Sequence, residues 1–140
     1  MLYKDFLKTV TKCPFCGGDN RIIKDMPGAY ITYSIAPYHK HHLLVVPKRH
    51  VLDLSELSDE ESKDIISLQK LGQEMLKKLG YKDYTILVRF GENSGKSVEH
   101  THFHIVPEVR MGDVDNLWRE RTIMNEEEIN ELMEEFRGLL

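Results

Sequence analysis

Three histidines at alternate positions give this sequence its most evident chemical capacity. His100, His102 and His104 lie in the run from 97 to 107, SVEHTHFHIVP, which is rich in β-branched and aromatic residues. Because side chains alternate along a strand, the pattern predicts a β-strand that carries all three imidazoles on one face. The intervening residues are mostly apolar and suit a core, so we expect the histidine face to open towards water or a ligand.

Strand geometry limits how these imidazoles can act together. Neighbouring same-face residues are about 6.6 Å apart and the outer pair about 13 Å. A zinc ion lies about 2.0 to 2.1 Å from an imidazole nitrogen, so two adjacent histidines can share a metal but three are badly placed for it. At least one imidazole is therefore expected to be free to accept a proton, attack an electrophile or bind an anion.

All seven histidines fall in two short segments, residues 39 to 50 and 100 to 104. Four cations lie close to them in sequence: Lys40, Lys48, Arg49 and Lys96. This concentration predicts one polar site built from both segments and able to bind small anions.

The only cysteines, Cys13 and Cys16, form a Cys-x-x-Cys pair followed by two glycines. The pair has three interpretations: half of a metal site, a redox dithiol, or two buried thiols. A thioredoxin-like dithiol would open a helix, whereas residues 17 to 20 favour a turn. A metal site needs two further ligands, for which His50 and His100 are candidates.

Two sequence blocks carry a resemblance to a known family. The HxHxH strand with its following Ile-Val-Pro resembles the histidine triad family of nucleotide hydrolases and transferases. Residues 42 to 50, HLLVVPKRH, are similar to that family's strand ending in proline and a basic turn. The resemblance covers about residues 13 to 107 and leaves about 108 to 140 as a C-terminal extension of a single domain.

The resemblance implies a structural zinc site. In similar zinc-carrying members, two cysteines, the histidine that closes the basic turn and the first triad histidine hold the metal; the list here is Cys13, Cys16, His50 and His100. Such a closed site would tie the N-terminal segment to the central strands. The family fold is commonly a two-fold dimer, so the resemblance also implies a homodimer.

The same resemblance assigns catalytic roles. It implies that His102 attacks the α-phosphorus of a nucleotide, that His104 stabilises the phosphoryl oxygens, and that His42 orients the site or binds phosphate. Neutral imidazole is a competent nucleophile when a hydrogen bond fixes its tautomer. Histidine at position 104, where transferases and phosphorylases often carry glutamine, favours a hydrolase over a nucleotidyltransferase. Nucleoside phosphoramidates and dinucleoside polyphosphates are the candidate substrates.

The loop before the triad is a candidate phosphate-binding element. Asn93, Gly95 and Ser97 are expected to present backbone N–H groups and a hydroxyl to phosphate. Lys96 stands where many relatives carry a glutamine near the leaving group, and would neutralise phosphate charge. Ser34 stands where many relatives place an acidic or amide residue for ribose hydroxyls.

Two alternative functions use the same residues. In the first, His100 and His102 hold a catalytic zinc whose bound water attacks the substrate. In the second, the protein is a zinc-stabilised nucleotide-binding module without turnover.

The remaining pattern predicts the fold class. Ser58 and Glu61 form a capping box for one long helix, about residues 59 to 79, that ends at Gly80. A short N-terminal helix and a C-terminal helix flank a set of short strands. We expect an α+β fold in which an antiparallel sheet of about five strands carries one long packing helix.

Composition is typical of a soluble globular protein, with 41% hydrophobic and 30% charged residues. A net charge of −4 argues against broad electrostatic binding of nucleic acid. The sequence has neither a membrane-length apolar run nor a signal-peptide pattern. We therefore expect a cytoplasmic protein with a small nucleotide as its partner.

Overall fold

The computed structural model describes residues 1–16, 21–91, 98–109 and 120–140. In chain order, the elements are α1 (Tyr3–Leu7), β1 (Lys24–Asp25), β2 (Ala29–Tyr33), β3 (Leu43–Pro47), a 3-10 turn (Leu54–Glu56), α2 (Asp59–Lys78), β4 (Tyr84–Leu87), β5 (Phe103–Pro107) and α3 (Glu126–Arg137). Among the described helices, none is both long enough and apolar enough to cross a membrane.

The five strands form one antiparallel sheet in the order β1-β2-β3-β5-β4. The last strand in sequence, β5, therefore lies between β3 and β4. His104 is paired with Leu44 on one side and Leu87 on the other, which places it well inside the sheet. The predicted α+β fold, with five antiparallel strands and one long helix, is confirmed.

The long helix α2 covers one face of this sheet. Its capping box of Ser58 and Glu61 is formed as predicted, and Gly80 adopts a φ of 95° just after its C-terminus, a conformation that favours glycine. A Cβ added at Gly72 would lie 2.8 Å from Cδ1 of Ile105, so the helix backbone approaches β5 closely. The resulting core is apolar and fully enclosed; its members include Ile31, Leu43, Leu68, Met75, Leu76 and Ile105.

The C-terminal helix α3 is part of the same core. It begins at a second capping box, formed by Asn125 and Glu128. Its apolar stripe is buried against the core residues of the sheet and α2, and consists of Ile129, Leu132, Met133 and Phe136. The described part of the extension is thus packed within the domain.

The segment before α3 is tied to the N-terminal segment. Leu2 and Thr122 form an isolated antiparallel bridge, and the backbone N–H of Tyr3 donates to the carbonyl of Arg121 at 2.8 Å. This pairing joins the start of α1 to the segment that precedes α3.

The histidine-bearing strand is shorter than predicted. It begins at Phe103, so His100 and His102 lie in the segment that leads into it. The reason is a different set of hydrogen bonds: both the backbone N–H and the hydroxyl of Thr101 donate to the carbonyl of Val51, at 2.9 and 2.6 Å. This segment therefore binds to the turn after β3 instead of extending the β5 ladder.

Candidate active site and metal centre

Four side chains with metal-binding atoms converge at one end of β3. Cys13, Cys16, His50 and His100 each place one such atom within 4.8 Å of the other three. The Nδ1 atoms of His50 and His100 are 3.1 Å apart. Sγ of Cys16 lies 3.3 Å from Nδ1 of His50, and Sγ of Cys13 lies 3.3 Å from Nδ1 of His100.

This geometry fits tetrahedral zinc. Bond lengths of about 2.3 Å to sulfur and 2.0 to 2.1 Å to nitrogen give ligand-to-ligand distances of roughly 3.3 to 3.8 Å. Nε2 of His100 donates to the carbonyl of Pro47 at 2.7 Å, so its Nδ1 presents a lone pair to the cluster. Burial and the neighbouring Cys13 raise the pKa of Cys16, a shift that a bound cation would oppose. The four residues are thus a suitable structural zinc site.

A second group of histidines is organised by hydrogen bonds instead. The backbone N–H of Tyr38 donates to Nδ1 of His42 at 3.2 Å, so the ring proton of His42 lies on Nε2. That Nε2 lies 2.9 Å from Nδ1 of His104 and donates to it. The proton of His104 is consequently on Nε2, which makes this atom a hydrogen-bond donor.

His102 has the opposite assignment. Its Nδ1 donates to the carbonyl of His100 at 2.8 Å, which leaves a lone pair on Nε2. The rings of His102 and His104 have centroids 4.8 Å apart. One imidazole is therefore arranged as a nucleophile and its neighbour as a donor.

Burial keeps these imidazoles neutral. It lowers the pKa of His42 to about 3, and it lowers the pKa values of His102 and His104 as well. The charges of Arg89 and Arg121 act in the same direction on all three. A neutral ring is the nucleophilic form, so this shift suits the role that the resemblance implies for His102.

Next to these histidines is a cavity of about 540 Å³. Its volume is in the range of small-molecule sites. Its lining includes apolar side chains, among them Phe6, Leu7, Val10, Phe15 and Ile22. It also includes polar groups, among them Thr32, Ser34, His102, His104, Arg89 and Arg121. The cavity thus offers apolar surface that suits a base and cations that suit phosphate.

Of the cations that sequence proximity indicated, Lys96 lies outside the described residues, and the other three do not line this cavity. Lys48 pairs with Asp25 at 2.7 Å, and Arg49 pairs with Glu61 at 2.8 Å. The described cations that line the cavity are instead Arg21, Arg89 and Arg121. Sequence reasoning missed these arginines because they lie far along the chain from the histidine segments.

Residues of both histidine segments meet, as His42 with His104 and His50 with His100, but the seven histidines do not share one site. His41 lies apart from the triad, with its Nδ1 2.6 Å from the hydroxyl of Tyr81 and its Nε2 2.6 Å from a carboxylate oxygen of Glu135. The ring of His39 packs edge-on against Tyr81. The seven histidines divide into a metal-type cluster, a catalytic-type group and this pair near α3.

The remaining predicted site residues are Ser34, which the structure describes, and four residues of the loop before the triad, which it does not. Ser34 is buried and lines the cavity, as a substrate-binding residue must. Asn93, Gly95, Lys96 and Ser97 lie outside the described residues. His102 is not among the converging metal ligands, so the geometry does not favour the alternative in which His100 and His102 share a catalytic zinc.

Phe15 is a further site residue that the sequence reasoning missed. Its ring lies 5.0 Å from that of His102 and 5.8 Å from that of His100, measured between centroids. Its carbonyl accepts a hydrogen bond from the hydroxyl of Tyr30. The available signal was its position between Cys13 and Cys16, because a metal site shared with His100 brings the intervening residue to the triad.

Comparison with known proteins agrees with this arrangement. A model of the HIT domain family matches residues 18–111. The chain belongs to the HIT domain family. The match ends before the segment that supplies Arg121 and before α3, so part of the cavity wall comes from outside the matched region.

Relatives of this HIT protein include an uncharacterized HIT-like protein of Methanocaldococcus jannaschii, 35% identical over 142 residues, with 90% of this chain and 99% of that protein covered. The adenosine 5'-monophosphoramidase of Schizosaccharomyces pombe is 42% identical over 74 residues, or 53% of each chain. The crystal structure of the Caenorhabditis elegans NitFhit protein matches with a TM-score of 0.72 and 30% identity, covering 86% of this chain and 27% of that one. The chain thus spans nearly all of the first relative, about half of the second and about a quarter of the third.

Proposed function

We propose that this HIT domain protein is a hydrolase that cleaves a nucleotide at its α-phosphorus through a covalent nucleotidyl-His102 intermediate. The observation that carries the proposal is the opposite proton assignment of His102 and His104 beside one cavity. The phosphoramidase activity named for the Schizosaccharomyces pombe relative supports the reaction class. The candidate substrates are nucleoside phosphoramidates and dinucleoside polyphosphates.

The proposed reaction has two displacements at phosphorus. The Nε2 lone pair of His102 forms a bond to the α-phosphorus, and the bond to the leaving group breaks, so that group departs with the electron pair. His104 donates its Nε2 proton as a hydrogen bond to a phosphoryl oxygen. Water then attacks the phosphorus as the bond to His102 breaks, which releases the nucleoside monophosphate and restores the imidazole. The proton that the water loses to solvent balances the proton that the leaving group takes up as it departs.

Hydrogen bonding prepares His102 for this step. Attack through Nε2 places positive charge on the ring, and the carbonyl of His100, which accepts from Nδ1, stabilises that charge. The same hydrogen bond fixes the ring orientation before substrate binds. Phe15, packed against the ring, restricts its rotation further.

We also propose that zinc occupies the cluster of Cys13, Cys16, His50 and His100 as a structural metal. When bound, it would supply a cross-link between the N-terminal segment and the chain near β3 and β5. The two free thiols of this cluster suit a reducing compartment such as the cytoplasm.

A homodimer completes the proposal. Strand β4 is at one edge of the sheet, and its Ile86 is 45% exposed, an apolar residue that a second copy would cover. Sedimentation analysis of the full chain tests this assignment, with a single monomeric species as the contradicting result.

The decisive experiment is intact-protein mass spectrometry. The protein is mixed with adenosine and guanosine phosphoramidates or dinucleoside polyphosphates, and the reaction is quenched at mildly alkaline pH to preserve phosphoramidate bonds. We expect a transient mass gain of one nucleoside monophosphate in the wild type and none in His102→Ala. Zinc content and thermal unfolding of the variant serve as its folding controls.

Two results would contradict the proposal. Retained turnover in a folded His102→Ala variant would exclude this nucleophile. Tight nucleotide binding without product from any of these substrates would favour the alternative of a nucleotide-binding module.

A further inference from the structure

Arg121 contributes to the cavity from outside the HIT domain match. It is half-buried, and it lines the same cavity as His102 and His104. Its guanidinium carbon lies 4.1 Å from the ring centroid of Tyr38 and 4.6 Å from that of Tyr3. These two rings hold the side chain in place and keep its charge at the cavity wall.

The hydrogen bonds of Arg121 to the part of the chain that the structure describes leave most of its donors available. One guanidinium nitrogen, Nη1, donates to the carbonyl of Ala36 at 3.0 Å. Arginine carries five N–H donors in a planar fork, a geometry that matches phosphate oxygens. A rigidly held fork with spare donors loses little conformational entropy when it binds such a group.

The charge of Arg121 is not neutralised within the described part of the chain. No carboxylate in residues 1–16, 21–91, 98–109 or 120–140 pairs with Arg121 or with Arg89. Arg21, by contrast, pairs with Glu126 at 2.8 Å. Burial and the charge of Arg89 lower the pKa of Arg121. Within these ranges, two cations that line the cavity thus have no carboxylate partner, and an anion bound in the cavity would pair with them.

We propose that Arg121 binds a phosphate group of the substrate, which makes the segment C-terminal to the HIT domain match a determinant of specificity. The identity of the substrate rests on the function proposed above, whereas the binding of phosphate to Arg121 does not. The consequence is a preference for nucleotides that carry more than one phosphate.

Charge matching supports this preference. A nucleoside phosphoramidate has one ionised phosphoryl oxygen at neutral pH, and the His104 donor is already placed for it. A dinucleoside polyphosphate carries several negative charges along its bridge. Arg89 and Arg121 together match the second class, because each of these two cations can take a separate phosphate.

A purely structural role for Arg121 makes a different prediction. Tyr38, which contacts its guanidinium, also stacks on His42 with ring centroids 5.7 Å apart. If Arg121 only held Tyr38 and His42 in place, its loss would impair all substrates equally. Loss of Arg121 would then weaken the binding of ligands with and without phosphate groups to the same extent.

Calorimetric titration of the full chain with ADP and with adenosine separates these roles. Arg121→Met keeps an unbranched side chain against Tyr3 and Tyr38 but removes the charge. We expect ADP to bind about tenfold more weakly or worse, since charged hydrogen bonds are lost, while the Kd for adenosine changes less than about twofold. Arg121→Lys, which keeps the charge but not the fork, should be intermediate.

Lys63→Met is the control, because Lys63 is an exposed cation on α2 and does not line the cavity. It should leave both affinities unchanged, and thermal unfolding should show that each variant is folded. An unchanged affinity for ADP in Arg121→Met would overturn the proposal. Equal weakening of ADP and adenosine binding would also overturn it, in favour of the structural role.

Kinetics then test the specificity. In Arg121→Met, kcat/KM for diadenosine triphosphate should fall at least about tenfold more than kcat/KM for adenosine phosphoramidate. Equal losses would overturn the proposed preference. If the wild type cleaves neither compound but the contrast between ADP and adenosine holds, the proposed function fails while the phosphate site on Arg121 stands.

Discussion

The metal-type cluster and the catalytic group both consist largely of histidines, yet their ring nitrogens are arranged in opposite ways. In the cluster, Nε2 of His100 donates to the carbonyl of Pro47, so Nδ1 is directed to the other ligands. In the proposed catalytic group of His42, His102 and His104, Nδ1 of His102 donates to the carbonyl of His100, so the lone pair is on Nε2. A single backbone hydrogen bond decides which nitrogen each ring presents.

This difference determines what each group can bind. In the cluster, a second imidazole and two thiol groups lie close to Nδ1 of His100. This set of four donor atoms suits a zinc ion. In the catalytic group, Nε2 of His42 donates to Nδ1 of His104, and the rings already satisfy each other without a metal. The three histidines of residues 100 to 104 thus separate: His100 belongs to the proposed metal site, and His102 and His104 belong to the proposed catalytic group.

The largest expected effect is loss of turnover in His102→Ala. Because the proposed nucleophile is removed, kcat should fall by about 10⁴-fold or more, while zinc content measured by elemental analysis stays at the wild-type value.

The matched variant in the metal-type cluster is Cys16→Ser. It should lose zinc and unfold several degrees lower, since a ligand present at 100 times its Kd stabilises by about 2.7 kcal/mol.

Activity of Cys16→Ser decides whether the two sets are truly distinct. Assayed well below its unfolding temperature, this variant should keep kcat within about tenfold of the wild type, because none of the four cluster residues lines the cavity and His102 is not one of them. A loss as severe as that of His102→Ala would show that the metal acts in the chemical step.

A smaller effect is expected at His104. Removal of its Nε2 donor in His104→Ala should lower kcat by about 10²-fold, the usual cost of one donor to a developing oxyanion. His104→Gln keeps an N–H donor and should recover part of that loss. Steady-state kinetics of both variants test this assignment, and equal rates for the two would contradict a donor role.

The smallest expected effect is on stability at acid pH. The pKa of His42 is about 3 in the folded protein and about 6.5 in the unfolded chain, so the unfolded state binds more protons between these values. Stability from this group is therefore complete above pH 6.5 and is lost, at about 1.4 kcal/mol per pH unit, as pH falls towards 3. Urea unfolding between pH 6.5 and 4.5 should show a shallower pH dependence for His42→Gln than for the wild type. Parallel slopes would mean that burial of His42 does not control its protonation.

Local sequence patterns predicted the elements well because their causes are local. Both capping boxes, the helical stripe of α2 and the alternation around His104 depend on residues a few positions apart. The metal ligands are a partial exception, since Cys13 and His100 are 87 residues apart, yet their residue types restrict the partners that they can take.

The cations of the cavity were not predictable in this way. Sequence proximity indicated Lys48 and Arg49, but Asp25 and Glu61 pair with them in the folded protein. Arg121 lines the cavity beside Thr122, which pairs with Leu2 at the other end of the chain. Ion pairs and contacts between distant segments are properties of the tertiary structure, and neither leaves a local signal in the sequence.

The carbonyl of His100 has a consequence for how this protein can change during evolution. Any amino acid at position 100 would still present a main-chain carbonyl, so the hydrogen bond to His102 does not depend on the imidazole proposed to bind metal. A lineage could therefore replace the proposed metal ligands with apolar packing and keep the orientation of His102, provided that Thr101 still donates to the carbonyl of Val51. The proposed zinc is in this sense dispensable for the orientation of His102, whereas the path of the main chain is not.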